Sequence, residues 1–410
     1  MRKNGKALLF TTLCVLWVLV FSTAVFAGDP NFKSPSSFPL NQTMNNFGEA
    51  TYQIDLPSDG VIKLKAETPM QGHTSSIWRI RLYDKNYKEL EFTFDVYGNQ
   101  SVAESSQVGL AAGRYYCFVG EGTRKSDSAL SLTVSYTASD LWEKEMNNDF
   151  TTATALPVNT RFSGCSTNVH DQDIFAVNLP QDGMLQVTFD HVKKEKDTHY
   201  WEIRFFDPQY KDMGYEKVYG NTDSMKTTQL GLPKGQYFIQ VIYCYNFDDS
   251  TYHITAGFTP SAYWEKEHND SFTTATDMEV GKEYFGSIFC ERSNDDYYKI
   301  NVTKGDDYNI ILRSAETEAA KKSWNAALIG NDYKDIKEFV AMADGKQYSM
   351  TEYLSPGSYF IRVRADGYFT QKTYGLTVIS KSAQSAGSGS DVTGPAKCRI
   401  RSAKNSAKKT

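Results

Sequence analysis

One segment of this 410-residue chain returns three times. Trp78, Trp201 and Trp324 stand 123 residues apart, and each is followed nine positions later by a Tyr-Lys pair: Tyr87-Lys88, Tyr210-Lys211 and Tyr333-Lys334. Gly113, Gly235 and Gly357 recur at 122 residues, each two positions before a tyrosine (Tyr115, Tyr237, Tyr359). Thr133, Thr255 and Thr377 close the units in the same order. Landmarks that keep register over such distances mean three copies of one module. A unit of about 100 residues can enclose its own core, so each copy is a small domain rather than a solenoid turn. An array of this kind favours modular binding or display over a single catalytic pocket.

Within a copy the pattern is that of short antiparallel strands. Trp78 to Tyr83, Trp201 to Phe206 and Tyr359 to Arg364 alternate in polarity and are rich in aromatic and β-branched residues, the mark of strands with one buried face. Turn signals separate them at Pro57-Ser58-Asp59-Gly60, Pro180-Gln181-Asp182-Gly183, Lys234-Gly235 and Pro356-Gly357. The expected fold is all-β: three tandem β-sandwich modules of jelly-roll-like form, joined by short acidic linkers, with a disordered C-terminal tail. Each tryptophan opens an alternating strand at the same depth of the repeat, which makes it a core anchor rather than a ligand platform. The Tyr-Lys pairs are expected to close turns.

The ends carry different information. Arg2, Lys3 and Lys6 precede an apolar run from Ala7 to Phe26, and Val25-Phe26-Ala27 offers small residues for cleavage; residues 1–27 read as a secretory signal peptide. An uncleaved anchor is the competing reading, since the run approaches the ~20 residues that span a bilayer. The expected division is then 28–137, 138–259 and 260–380 for the modules, and 381–410 for a flexible linker and basic tail. The three modules carry 34 basic against 48 acidic residues. That surface repels phosphate backbones and argues against nucleic acid, while suiting cations and solubility outside the cell. A monomer, secreted or at the cell surface, is expected. Five cysteines follow the leader (Cys117, Cys165, Cys244, Cys290, Cys398), and none recurs in all modules. They look like free thiols, with one bridging pair left open.

Two acidic segments precede the second and third modules: Trp142-Glu143-Lys144-Glu145-Met146-Asn147-Asn148 and Trp264-Glu265-Lys266-Glu267-His268-Asn269-Asp270, both leading into Phe-Thr-Thr-Ala-Thr at Phe150 and Phe272. In an extended chain, Glu-x-Glu-x-Asn points three oxygen-bearing side chains the same way. A second acidic cluster follows, at Asp171 and Asp173 and at Asp295 and Asp296. Carboxylates and amides without His or Cys match a hard cation, Ca²⁺ before Mg²⁺. A solvated charged connector is the plain alternative.

These residues carry a resemblance. The pattern looks like the bacterial pre-peptidase C-terminal domain and is similar to the collagen-binding domain of clostridial collagenases, across nearly all of the second and third modules and more weakly the first. The resemblance implies a jelly-roll-like sandwich in which linker acids and a strand Asp hold calcium. Carried over, the ligands are Glu143, Glu145, Asn147 and Asp173 in one module, and Glu265, Glu267, Asn269, Asp270 and Asp296 in the next. His170 and Ser293 stand where the family has a further Asp, so Asp171 and Asp295 would serve only through a shifted loop. Asn148 replaces the linker's last Asp. The first module has Ala50 at the strand-Asp position and is expected to bind no metal. The family's collagen-contacting aromatics do not carry over, since Gly120, Ile242 and Arg364 stand there. The opening of the tail, from Gly394 onward, weakly resembles a fibronectin type III-like strand, so the chain reads as the front of a longer polypeptide; a simple basic tail fits equally.

No His-Glu-x-x-His, Gly-x-Ser-x-Gly or Gly-x-Gly-x-x-Gly is present, and no histidine recurs in all modules, so nothing supports a nucleophile with its base or an open metal site. The expected function is a non-catalytic, calcium-stabilised module array whose partner is an extracellular protein or polysaccharide. The alternative is the accessory region of a secreted peptidase or other hydrolase.

Overall fold

The computed structural model describes residues 30–46, 48–289, 294–317, 322–367 and 370–383. The proposed leader, the tail beyond residue 383 with Cys398, and Cys290 lie outside them. Each module consists of two sheets packed face to face around its own core, antiparallel but for one short parallel edge strand. In the second module one sheet runs, edge to edge, through Thr154–Ala155, Gln172–Leu179, Gly235–Tyr243, His199–Phe206 and Asp212–Tyr219. The other runs through Arg161–Gly164, Tyr252–Pro260 and Gly183–Asp190, whose free edge takes both Ser224–Lys226 and Leu230–Leu232. The first and third modules repeat the order with few changes. The fold is thus all-β, three tandem sandwiches.

The repeat read from the sequence is also the structural repeat. Gly113, Gly235 and Gly357 begin equivalent strands and face Leu56, Leu179 and Val302 across the sheet. Strands overrun the expected boundaries by one residue, ending at Ala138 and Pro260, because Gly60 and Gly183 pair with those last residues. Period-two burial is clearest in Gly183–Asp190, where buried and half-buried residues alternate throughout.

Trp78, Trp201 and Trp324 are 2%, 1% and 0% exposed and sit in the three cores, as core anchors should. The Tyr-Lys pairs do close turns. Tyr87, Tyr210 and Tyr333 all take left-handed φ of 61–68° and donate their amides to Asp84, Asp207 and Gly330. The turn tyrosines have a further role that spacing alone did not reveal. Their rings lie 4.4, 4.7 and 4.7 Å from Phe32, Phe150 and Phe272, so each module's entering segment is pinned to a turn of the same module. Phe32 marks the first module's counterpart of the acidic linker, whose remaining positions correspond to residues 24–31.

Cys117, Cys165 and Cys244 are free thiols, in line with the unrepeated spacing. No helix among the described residues is long and apolar enough to cross a membrane. Trp201→Ala is expected to cost about 3–5 kcal/mol in the second module, measured by denaturant unfolding, and the native tryptophans should resist acrylamide quenching.

Candidate metal centres at the module junctions

The acidic linkers are not solvated connectors. Trp142 and Trp264 bridge to Ser163 and Phe285 in parallel, and Glu143 and Glu265 donate their amides to the same two residues. Each linker thus becomes an extra edge on its own module, and alternate side chains turn inward. Glu143 and Glu265 are each 1% exposed, and Asn147, Asp173, Asn269 and Asp296 have no exposed surface. The strand aspartates are brought in from the neighbouring sheet, where Asp173 faces Val241 and Asp296 faces Val363. The first module puts Ala50 opposite Val119 at that position.

In the second module Glu143, Glu145 and Asp173 bring ligand oxygens within 4.8 Å of one another; in the third, Glu265, Glu267 and Asp296 do the same. Part of the acids' acceptor capacity is satisfied by the protein, and for Glu143 and Glu265 both oxygens are. Cys165 donates its amide to Glu143 at 2.6 Å, and the Tyr252 hydroxyl lies 2.9 Å from Glu143 and 2.7 Å from Asp173. Ser287 donates its amide to Glu265 at 2.9 Å, and Tyr374 reaches Asp296 at 2.5 Å. The remaining oxygens are not. Glu145 Oε1, Asn147 Oδ1 and Asp173 Oδ1 have no partner, nor do Asn269 Oδ1, Asn294 Oδ1 and Asp296 Oδ1. Buried acceptors without donors are costly, and together with the clustered carboxylates they could hold a cation.

Electrostatics agree. Burial, then the charge of Asp173, pushes Glu143 well above the usual carboxylate range. Burial and Asp171 do the same to Glu145 and Asp173. Burial and then Glu267 raise Glu265, and burial and then Glu265 raise Asp296. Burial and Asp270 bring Glu267 to about 7. His268 lies beside Glu267 and Asp270, and its charge acts on Glu267 in the opposite sense.

The backbone makes room for these groups. Gly164 and Gly286 lie where any Cβ would strike the carboxylate of Glu143 or Glu265 and the tyrosine hydroxyl beside it. They face Tyr252 and Tyr374 in the sheet, and the same register in the first module pairs Asn46 with Leu130.

The remaining sequence-derived candidates divide. Asp270 is exposed at the rim, beside His268 Nδ1 at 3.7 Å and apart from Glu265 and Asp296. Asp171 is buried near its site, but one oxygen takes the amide and hydroxyl of Thr167. Asp295 instead turns toward Arg362, 4.0 Å away. Sequence reasoning missed Tyr252, Tyr374 and Asn294, which donates to Glu267 at 3.2 Å. The absence of tyrosine at Leu130 was the available signal for the first two. Gly120, Ile242 and Arg364 do share one register, facing Arg79, Glu202 and Asn325.

No family model and no curated relative matches the chain. Among solved structures, the pre-peptidase C-terminal domain of a collagenase from Bacillus anthracis aligns at 18% identity over 25% of this chain and 93% of its own, with a TM-score of 0.20. A triple jelly-roll protein from an archaeal virus aligns at 10% over 80% of both chains, TM-score 0.22. The M60 catalytic domain with two CBM51 domains from Clostridium perfringens ZmpB aligns at 10% over 83% of this chain and 34% of its own, TM-score 0.20.

Raised carboxyl values fix the sign of a pH effect. The native state holds protons that the unfolded state releases, so the contribution of these carboxyls to stability without metal is fully present below about pH 4.5 and is lost as pH rises toward 7. In chelator, melting of the second and third modules should therefore drop across that window, and excess Ca²⁺ should cancel the drop.

Proposed function

We propose that the protein is a secreted, non-catalytic array whose second and third modules are stabilised by Ca²⁺ and which binds or displays at an extracellular protein or polysaccharide. The observation that supports it is the recurrence of one buried carboxylate cluster, with unpartnered oxygens each time, at two successive module junctions. Glu143, Glu145, Asn147 and Asp173 would hold one ion; Glu265, Glu267, Asn269 and Asp296 the other, with Asp270 at the rim of the second. All-oxygen donors without His or Cys suit Ca²⁺, which accepts irregular cages more readily than octahedral Mg²⁺ does. The acidic modules and the leader-like start of the sequence support an extracellular setting. An accessory role beside a secreted hydrolase is compatible with the same sites, and a search of the neighbouring reading frames for a catalytic domain separates the two.

Calorimetry tests the metal. A ligand that binds only the native state adds ~2.7 kcal/mol at a hundredfold excess over its dissociation constant. EDTA should lower the melting of the second and third modules and spare the first; identical scans with and without chelator would defeat the reading. Asp173→Ala should abolish the calcium response of the second module and leave that of the third intact. Glycan arrays and collagen pull-down on the purified protein then address the partner.

A further inference from the structure

The two junctions are built alike on their other side too. The amides of Glu145 and Glu267 leave their own module and donate to the carbonyls of Gly109 and Gly231 in the module before, at 2.9 and 3.0 Å. A side chain at either glycine would collide with the backbone carbonyl of Glu143 or Glu265. Lys144 pairs with Asp59 and Lys266 with Asp182. Gln107 and Gln229 each accept a hydroxyl from the next module, from Thr251 and Thr373 at 2.5 Å. An Asp, a Gln and a Gly thus form a cradle at the far end of one module that seats the linker of the next.

Sheet register identifies the same three positions in the third module. Gly60 faces Leu110, Gly183 faces Leu232 and Asp306 faces Leu354. The residue before the first of each pair is Asp59, Asp182 and then Gly305. The residue before the second is Gly109, Gly231 and then Tyr353; two positions further back stand Gln107, Gln229 and then Thr351. All three cradle residues have changed together. The changes are mutually fitted, because a Cβ at Gly305 would lie 2.6 Å from the Tyr353 hydroxyl. Tyr353 lies across the place the aspartate holds elsewhere.

We propose that the Asp-Gln-Gly cradle is a dedicated receptor for a Trp-Glu-Lys-Glu linker and that Tyr353 closes it in the third module, so that the array couples end to end through two junctions and admits no further module by this route. The inference rests on register and hydrogen bonds, independently of any bound cation.

The test inserts a second copy of residues 261–380 after Ser382 of the full chain, in calcium-containing buffer, and follows hydrogen exchange of the inserted amide corresponding to Glu267. On the native third module that amide should exchange freely. With Gly305→Asp, Thr351→Gln and Tyr353→Gly combined, it should slow by about tenfold or more. Equal protection on the native end overturns the proposal, as does no gain on the restored cradle while the Asp296–Val302 strand stays protected. Should the triple variant disturb the third module itself, Gly231→Tyr in the native chain decides. Loss of protection at Glu267 with intact module cores supports the cradle, and unchanged protection there overturns it.

Discussion

Carboxylates buried beside one another are the constraint from which the junction architecture follows. Two such groups cannot both keep their charge in a low-dielectric interior without a cation or a proton between them. Everything adjacent accommodates that fact. Gly164 and Gly286 leave space for the carboxylates, Tyr252 and Tyr374 donate to them, and the amides of Cys165 and Ser287 satisfy the far oxygens. The first module serves as an internal control. With Ala50 in place of the strand aspartate, tyrosine gives way to Leu130 and glycine to Asn46 at the equivalent register. The elements are present together or absent together, which is the behaviour of one site rather than of scattered surface charge.

Strand periodicity lets one short segment serve two modules. Successive side chains of an extended chain point to opposite faces. In the linkers, Glu143, Glu145 and Asn147 turn into their own module, while Lys144 reaches back to Asp59. Glu265, Glu267 and Asn269 do the same while Lys266 reaches Asp182. The backbone divides its hydrogen bonds likewise: the amide of Glu143 goes to Ser163 of its own module, and that of Glu145 to Gly109 of the one before. A shift of one residue would exchange the two sets and bury lysine among orphaned oxygens. The inward-facing acids and the module coupling are therefore fixed by the same register.

Much of this was legible in the sequence, for identifiable reasons. The tryptophans and the strand-opening glycines repeat because core depth and strand starts repeat, so their spacing alone located modules, strands and core. The inward-facing acids were legible because period two is a property of any extended segment. Loops were not, because their length varies: Asp171 and Asp295 each stand just before their module's strand aspartate, yet one is buried beside its site and the other faces Arg362. Tyr252 and Tyr374 lie far from the acids along the chain, and only sheet pairing opposite Gly164 and Gly286 brings them in. Gly305 and Tyr353 are ordinary residues in isolation; their meaning appears only when register sets them beside Asp182 and Gly231.

The first module also bears on why the acids are there. It builds a complete two-sheet core without them, so the fold does not require the site. Buried charges stabilise a structure poorly compared with apolar packing, and an uncompensated one is strongly destabilising. A sequence under selection for stability alone would be expected to take the alanine and leucine solution three times. Keeping the costly solution at both linkers makes the seating of each linker conditional on whatever neutralises its carboxylates. The same linker is the segment gripped by the preceding module through Gly109 or Gly231. The site and the junction thus share one stretch of backbone: Glu145 and Glu267 carry both a carboxylate of the cluster and an amide that spans the two modules.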